Sequence, residues 1–226
     1  MKKEENPAYL TEQIITYIGN KRQLIGSIGK EVEAIKQELG KPKLACADLF
    51  SGSGIVARML KRHSSRLVVN DLESYSRVLN DCYLTNRRDF SDGRWEKFRL
   101  HIETAYKKKP IPGIITGNYA PADEQNIQKG ERVFYTRENA LRIDSFRTLT
   151  ERLVDEDMQK FFLAPLLTEA SIHVNTSGVF KGFYKDKRTG IGCLGGSGRN
   201  ALRSARARRR KPLLLSCCAA AFRSCR

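Results

Sequence analysis

Residues 43 to 71 read KLACADLFSGSGIVARMLKRHSSRLVVND, and this stretch decides the fold class. Lys43 to Phe50 is a short apolar run bounded by turn residues, which predicts a buried strand. Ser51-Gly52-Ser53-Gly54 supplies a turn, and Ile55, Val56, Met59 and Leu60 then share one face of a helix ending near His63-Ser64-Ser65. Arg66 to Asp71 returns to strand character. Strand, glycine turn, helix and strand in that order imply parallel strands joined by a crossover. The expected class is therefore α/β, with a doubly wound Rossmann-like sheet.

Working outward, Leu24, Ile25, Ile28, Val32, Ile35 and Leu39 fall three or four apart and predict a helix over 21–39, ended by Gly40-Lys41-Pro42. Val78, Leu79, Cys82 and Tyr83 predict another over 74–90. The alternation then stops. Lys107-Lys108-Lys109-Pro110-Ile111-Pro112-Gly113 reads as a linker, and 117–130 is polar and turn-rich. Residues 138–174 read as two helices, with Pro165 expected to kink or restart the second. Three parts are expected: a cofactor-binding half over 1–109, a mainly helical insertion over 110–202, and an aberrant basic tail over 203–226.

Lysine and arginine total 41 against 25 acids, a net charge of +16 that points to a polyanionic partner such as nucleic acid. No acid follows Lys187, and residues 203–226 alone carry eight basic side chains. No apolar run approaches the roughly 20 residues that cross a bilayer. Met1-Lys2-Lys3-Glu4-Glu5 has no apolar core behind it, so no secretory signal and no membrane partner are expected, and the expected address is cytoplasmic. Cys46, Cys82 and Cys193 are scattered, Cys217, Cys218 and Cys225 crowd the end, and no pair has zinc-ligand spacing. With His63, His101 and His173 isolated as well, no metal site is expected. Trp95 and Tyr106 read as packing residues.

The chemistry concentrates in Asp48-Leu49-Phe50-Ser51-Gly52-Ser53-Gly54, where a strand ends and a helix opens. Glycine lets a ligand approach the backbone, and a helix start offers free amide donors. Asp71 lies seventeen residues beyond Gly54, at the end of the second strand, where a carboxylate can accept from both hydroxyls of a ribose. Gly52, Gly54 and Ala57 also match the dinucleotide pattern G-x-G-x-x-A, so an NAD-dependent oxidoreductase stays open. An acid at Asp48 would repel a pyrophosphate, whereas it would favour the ammonium of S-adenosylmethionine. Upstream, Tyr17-Ile18-Gly19-Asn20-Lys21 sets an aromatic ring and an amine around a Gly-Asn turn.

With these pieces together the sequence resembles the Dam-like adenine-specific DNA methyltransferases that use S-adenosylmethionine. The resemblance covers most of residues 7–202 and rests on YIGNK at 17–21, DLFSGSG at 48–54, ND at 70–71, VFYTRENALRIDSFR at 133–147 and FFLAPLLTEASIHVNTSGVFKGF at 161–183. It implies that Tyr17, Lys21 and Asp71 contact the cofactor, that Asp48, Phe50, Gly52 and Gly54 form its amino-acid loop, and that 110–202 carries target recognition. The implied partner is double-stranded DNA, with a companion restriction endonuclease and a monomeric chain.

Chemistry in that family transfers a methyl group to the exocyclic amine of an adenine flipped from the stack, received by an Asp-Pro-Pro-Tyr tetrad. No Pro-Pro pair occurs here, and Asn6-Pro7-Ala8-Tyr9, the nearest imitation, precedes the cofactor motifs, so no catalytic residue is assigned. The change of composition after Leu202 is expected to mark an out-of-frame tail, a chain inactive in methyl transfer and a sheet with an open edge. A non-catalytic basic DNA-binding protein is the expectation from a different class.

Overall fold

The computed structural model describes residues 9–10, 14–15, 19–86, 93–176 and 180–195. These residues form two compact units, one up to Asn86 and the other from Gly93. Everything beyond Gly195, including the whole basic tail over 203–226, lies outside the described residues, as do Tyr17 and Asn6.

In the first unit a short 3-10 turn, Arg22–Leu24, leads into helix α1, Ile25–Glu38. Strand β1 is Leu44–Asp48, helix α2 Ile55–His63, strand β2 Ser64–Val69 and helix α3 Ser74–Tyr83. β1 and β2 pair in parallel, with Ala45 opposite Arg66 and Asp48 opposite Val69, as the strand, turn, helix and strand order requires. Val32 of α1 and Met59 and Leu60 of α2 form the buried cluster, with Ile25, Ile28, Leu44, Cys46, Val56 and Leu67 packed against it. Burying each large side chain of such a cluster contributes about 1.5–3 kcal/mol. Strand alternation sends Cys46 and Leu67 to this side, while Ala45, Ala47 and Val68 are exposed. Among the described residues the sheet has these two strands, so the fold is a mixed helix and strand architecture with a small parallel sheet.

The second unit is mainly helical. Helix α4 spans Arg94–Lys108, α5 Ile114–Asn118, α6 Arg137–Leu153 and α7 Glu156–Ile172. The sequence reading missed α4, because its buried face is only Trp95, Phe98 and Ile102, separated by charged residues. Trp95 stacks on Phe162 at 6.1 Å and Tyr106 tilts against Phe146 at 5.2 Å, so both are packing residues as expected. Lys107 and Lys108 belong to the last turn of α4 rather than to a linker, and their charge suits the negative end of the helix.

Pro165 requires a second correction. Of the expected kink or restart, the restart does not occur: Pro165 lies fully buried inside α7, which runs on to Ile172. The backbone bond it cannot donate is offset by the packing of Met158, Phe161, Phe162 and Leu166 on either side of it. No helix among the described residues is long and apolar enough to cross a membrane.

Candidate functional site

The two strand ends in the first unit are zipped together beyond their ladder. Asn70 donates its amide to the Asp48 carbonyl at 2.8 Å, and Ser51 donates to the Asn70 carbonyl at 3.0 Å. The chain then reverses through Gly52 at φ +52° and Gly54 at φ +74°, left-handed values that explain glycine at both positions. The Gly52 amide donates to Asp71 Oδ2 at 2.7 Å, and Asp71 Oδ1 accepts the Glu73 amide at 3.0 Å. Asp71 thus ties the glycine turn to the end of β2.

A polar support lies beneath the turn. Ser76 of α3 donates its hydroxyl to the Gly52 carbonyl at 2.6 Å, and Asn80 Nδ2 donates to Ser51 Oγ at 3.1 Å and to the Ser76 carbonyl at 2.9 Å. A Cβ on Gly54 would collide with the Asn80 side chain, so the turn packs on α3 with no room for a methyl group. Ser51, Ser76 and Asn80 are all buried, and sequence reasoning assigned them nothing. A serine and an asparagine four apart on the next helix would have been the signal to look for.

Asp48 is the electrostatic centre of the loop. Its Oδ2 is buried and makes no hydrogen bond. Burial raises its pKa above the ordinary aspartate value, against the amides of Phe50 and Ala57, and the nearby charge of Asp71 adds to the rise. An unpartnered, partly desolvated carboxylate is what a cationic ligand group would satisfy. Phe50 and Leu72, which flank the turn and the acid, are 91% and 94% exposed. Their apolar surface is free for a ligand that brings a flat apolar face.

Of the upstream motif, Gly19, Asn20 and Lys21 are described and Tyr17 is not. Gly19 turns at φ +83°, Asn20 Oδ1 accepts the Arg22 amide at 2.8 Å, and Lys21 is exposed with its amine donating to the Gly19 carbonyl at 3.0 Å. The structure therefore brings Asp48, Gly52, Gly54 and Asp71 together directly, while the contact of Lys21 is within its own turn. Among the described residues no group of His, Cys, Asp or Glu could hold a metal ion.

The second unit carries a basic turn closed by backbone hydrogen bonds. Lys185 bridges Gly192, Asp186 donates its amide to the Ile191 carbonyl at 2.9 Å, and Cys193 donates to the Tyr184 carbonyl at 2.9 Å. Lys181, Lys185, Lys187 and Arg188 are exposed around it. Its acid, Asp186, is consumed locally: the amide and hydroxyl of Thr189 and the amide of Arg188 hold its carboxyl below the usual range. Asn175 anchors the base of the turn, donating to the Val133 and Cys193 carbonyls at 2.8 Å each and accepting the Gly195 amide at 2.9 Å. That engagement leaves Asn175 only 1% exposed.

A family model described as D12 class N6 adenine-specific DNA methyltransferase matches residues 17–191. The chain belongs to this family. It is 32% identical over 177 residues to the Type II methyltransferase M.NlaIII of Neisseria lactamica, covering 76% of this chain and 50% of that protein. It is 35% identical over 185 residues to the Type II methyltransferase M.CviAII of Paramecium bursaria Chlorella virus 1, covering 78% and 52% respectively. With the Modification methylase LlaI of Lactococcus lactis subsp. lactis it shares 29% over 179 residues, 75% of this chain and 27% of that protein. The chain thus spans about half the length of the first two relatives. No solved structure matches it. In this D12-class chain both the glycine turn of the first unit and the basic turn of the second fall largely or wholly within the matched residues.

Proposed function

We propose that the first unit binds S-adenosylmethionine at the ends of β1 and β2, as the cofactor module of an adenine-specific DNA methyltransferase. The observation that carries this reading is the buried, unpartnered Oδ2 of Asp48 beside the glycine turn that Asp71 clamps. Bound there, the cofactor supplies the methyl group. Asp48 would hold its ammonium, Gly52 and Gly54 would line its amino-acid portion, Phe50 would lie against it, and Asp71 would accept from the ribose. Tyr17 and Lys21 would complete the pocket.

NAD fits this loop less well. The Gly52 amide is given to Asp71 and the Gly54 amide to the Ser51 carbonyl at 2.8 Å, so two donors that a pyrophosphate needs are already engaged. Two carboxylates beside the loop would also repel the diphosphate. Calorimetric titration with S-adenosylmethionine and with NAD tests the reading. Binding of the first alone is expected, and binding of NAD alone overturns it.

For the second unit we infer target recognition within 110–202 on double-stranded DNA, with the basic turn around Lys185–Arg188 gripping phosphate. The further proposals are that this chain is a monomer in the cytoplasm, that it shares its site with a companion endonuclease, and that 203–226 is read out of frame. Because the sequence has no Pro-Pro pair, we propose that it binds cofactor and DNA without methyl transfer. A methyl-transfer assay on adenine-containing duplex DNA checks this, and robust turnover refutes it. The exposed basic turn also favours a second reading, DNA binding that is independent of cofactor, which predicts a duplex affinity unchanged by S-adenosylmethionine.

A further inference from the structure

A cavity of about 500 Å3 opens in the second unit between the segment around Gly113–Ala122 and the segment Gly130–Arg137. Its lining is mostly polar and includes Gly117, Asn118, Glu131, Arg132 and Arg137. Arg94, Arg99 and Arg142 of the same unit are ion-paired, whereas Arg132 and Arg137 have no ion pair among the described residues. Both side chains are exposed, and each guanidinium has a neighbour that orients it. Arg132 lies over the Tyr119 ring, 5.5 Å from its centroid, and Arg137 donates Nη1 to the Pro121 carbonyl at 3.3 Å.

Glu131 is the acid in the lining, and its two oxygens are turned to its own loop. They accept the Ala122 amide at 2.8 Å and the Gln128 amide at 2.7 Å, bonds that hold its carboxyl below the usual range. Glu124 accepts the Arg137 backbone amide at 2.6 Å and Asp123 lies near Glu131, so it is the two guanidinium donor forks, rather than a net charge, that equip the cavity for an anion. Planar donor forks of this kind match the oxygens of a phosphate, and fixing them beforehand reduces the entropy lost on binding. The size and polarity of the space do not suit an apolar ligand.

We propose that this cavity is a phosphate site that takes a phosphodiester of the DNA strand, gripped by Arg132 and Arg137. It rests on the reading of the chain as a DNA-binding methyltransferase relative and adds a contact separate from the basic turn at Lys185–Arg188.

The test is fluorescence anisotropy of a labelled duplex across a salt series, using the full chain and the double variant Arg132→Gln/Arg137→Gln. Circular dichroism checks folding, and Lys30→Ala/Lys41→Ala removes the same charge elsewhere. The expected result is an affinity loss of about tenfold or more, with the slope against log salt reduced by about two. Arg132→Lys/Arg137→Lys should recover part of the slope and less of the affinity.

An unchanged slope in a folded Gln variant overturns the proposal, as does an equal loss in the Lys30/Lys41 control. Loss of calorimetric binding of inorganic phosphate with duplex binding intact also overturns it, assigning the cavity to a free phosphate ester. Absence of duplex binding by the full chain overturns it too. Titration of the Gln variant with S-adenosylmethionine tests the cofactor reading independently, because the substituted residues lie in the second unit.

Discussion

The Gly52 amide and the Asp71 carboxylate meet at 2.7 Å, so the turn after the first strand is held by the residue that follows the second. One acid therefore shapes the loop, accepting the Gly52 and Glu73 amides, and in the proposed complex the same acid would also accept from the ribose.

Replacing Asp71 with Asn removes the charge from a hydrogen bond that should contribute about 1.5–3 kcal/mol. The loop loses its clamp as the proposed ribose loses its acceptor. Affinity for S-adenosylmethionine should fall about 10- to 100-fold by calorimetry, a range that follows from the same bond strength.

Gly54→Ala forces a side chain into the left-handed region and against Asn80. The conformational part costs about 1–2 kcal/mol, and displacing Asn80 breaks its bonds to Ser51 and Ser76. A drop of several degrees in Tm is expected by thermal melting. Adding Asn80→Ala should cost less than the two separate losses combined, because the collision is then gone.

The raised pKa of Asp48 fixes the sign of two pH effects. An acid whose folded pKa lies above its unfolded value stabilises the fold at low pH, and that contribution is lost as pH rises through the folded pKa. Asp48→Asn should therefore be more stable than the wild type in neutral buffer, with the difference shrinking in acid, as read by denaturant titration. A cation is held by the ionised form, so affinity for S-adenosylmethionine should decline as pH falls through the same window. The Asn variant should bind weakly throughout and lose that dependence.

Asp144 of α6 is buried, and its carboxylate accepts the amides of Gly113, Ile115 and Thr116 and the Thr116 hydroxyl, at 2.6 to 3.1 Å. Asp144→Ala strands these donors, each costing about 1–3 kcal/mol if left buried and unpaired. Limited proteolysis should then open the 111–118 segment before the rest of the second unit. Unchanged protection there would contradict the assigned role.

Much of the first unit was legible because its signals are local. A glycine turn between an apolar run and an amphipathic helix needs no distant partner, and β1, α2 and β2 fall within a few residues of their expected bounds. Asp48 and Asp71 could be singled out because strand ends are where side chains face a ligand in such sheets. Asn80 and Ser76 were not legible, since a polar residue inside a helix pattern carries no mark of the loop it will support. Helix α4 was obscured for a related reason: three apolar side chains suffice only because Phe162 and other residues of the helical unit cover them.

By itself, the sequence determined the family, the parallel pairing and the positions where glycine is obligatory, since these follow from spacing and backbone sterics along a short stretch. Only the tertiary structure decided which acid clamps the loop and which remains unpaired, that Asp144 closes the 113–116 turn, and that α7 continues through Pro165. Those outcomes depend on desolvation and on partners distant along the chain, which linear order does not encode.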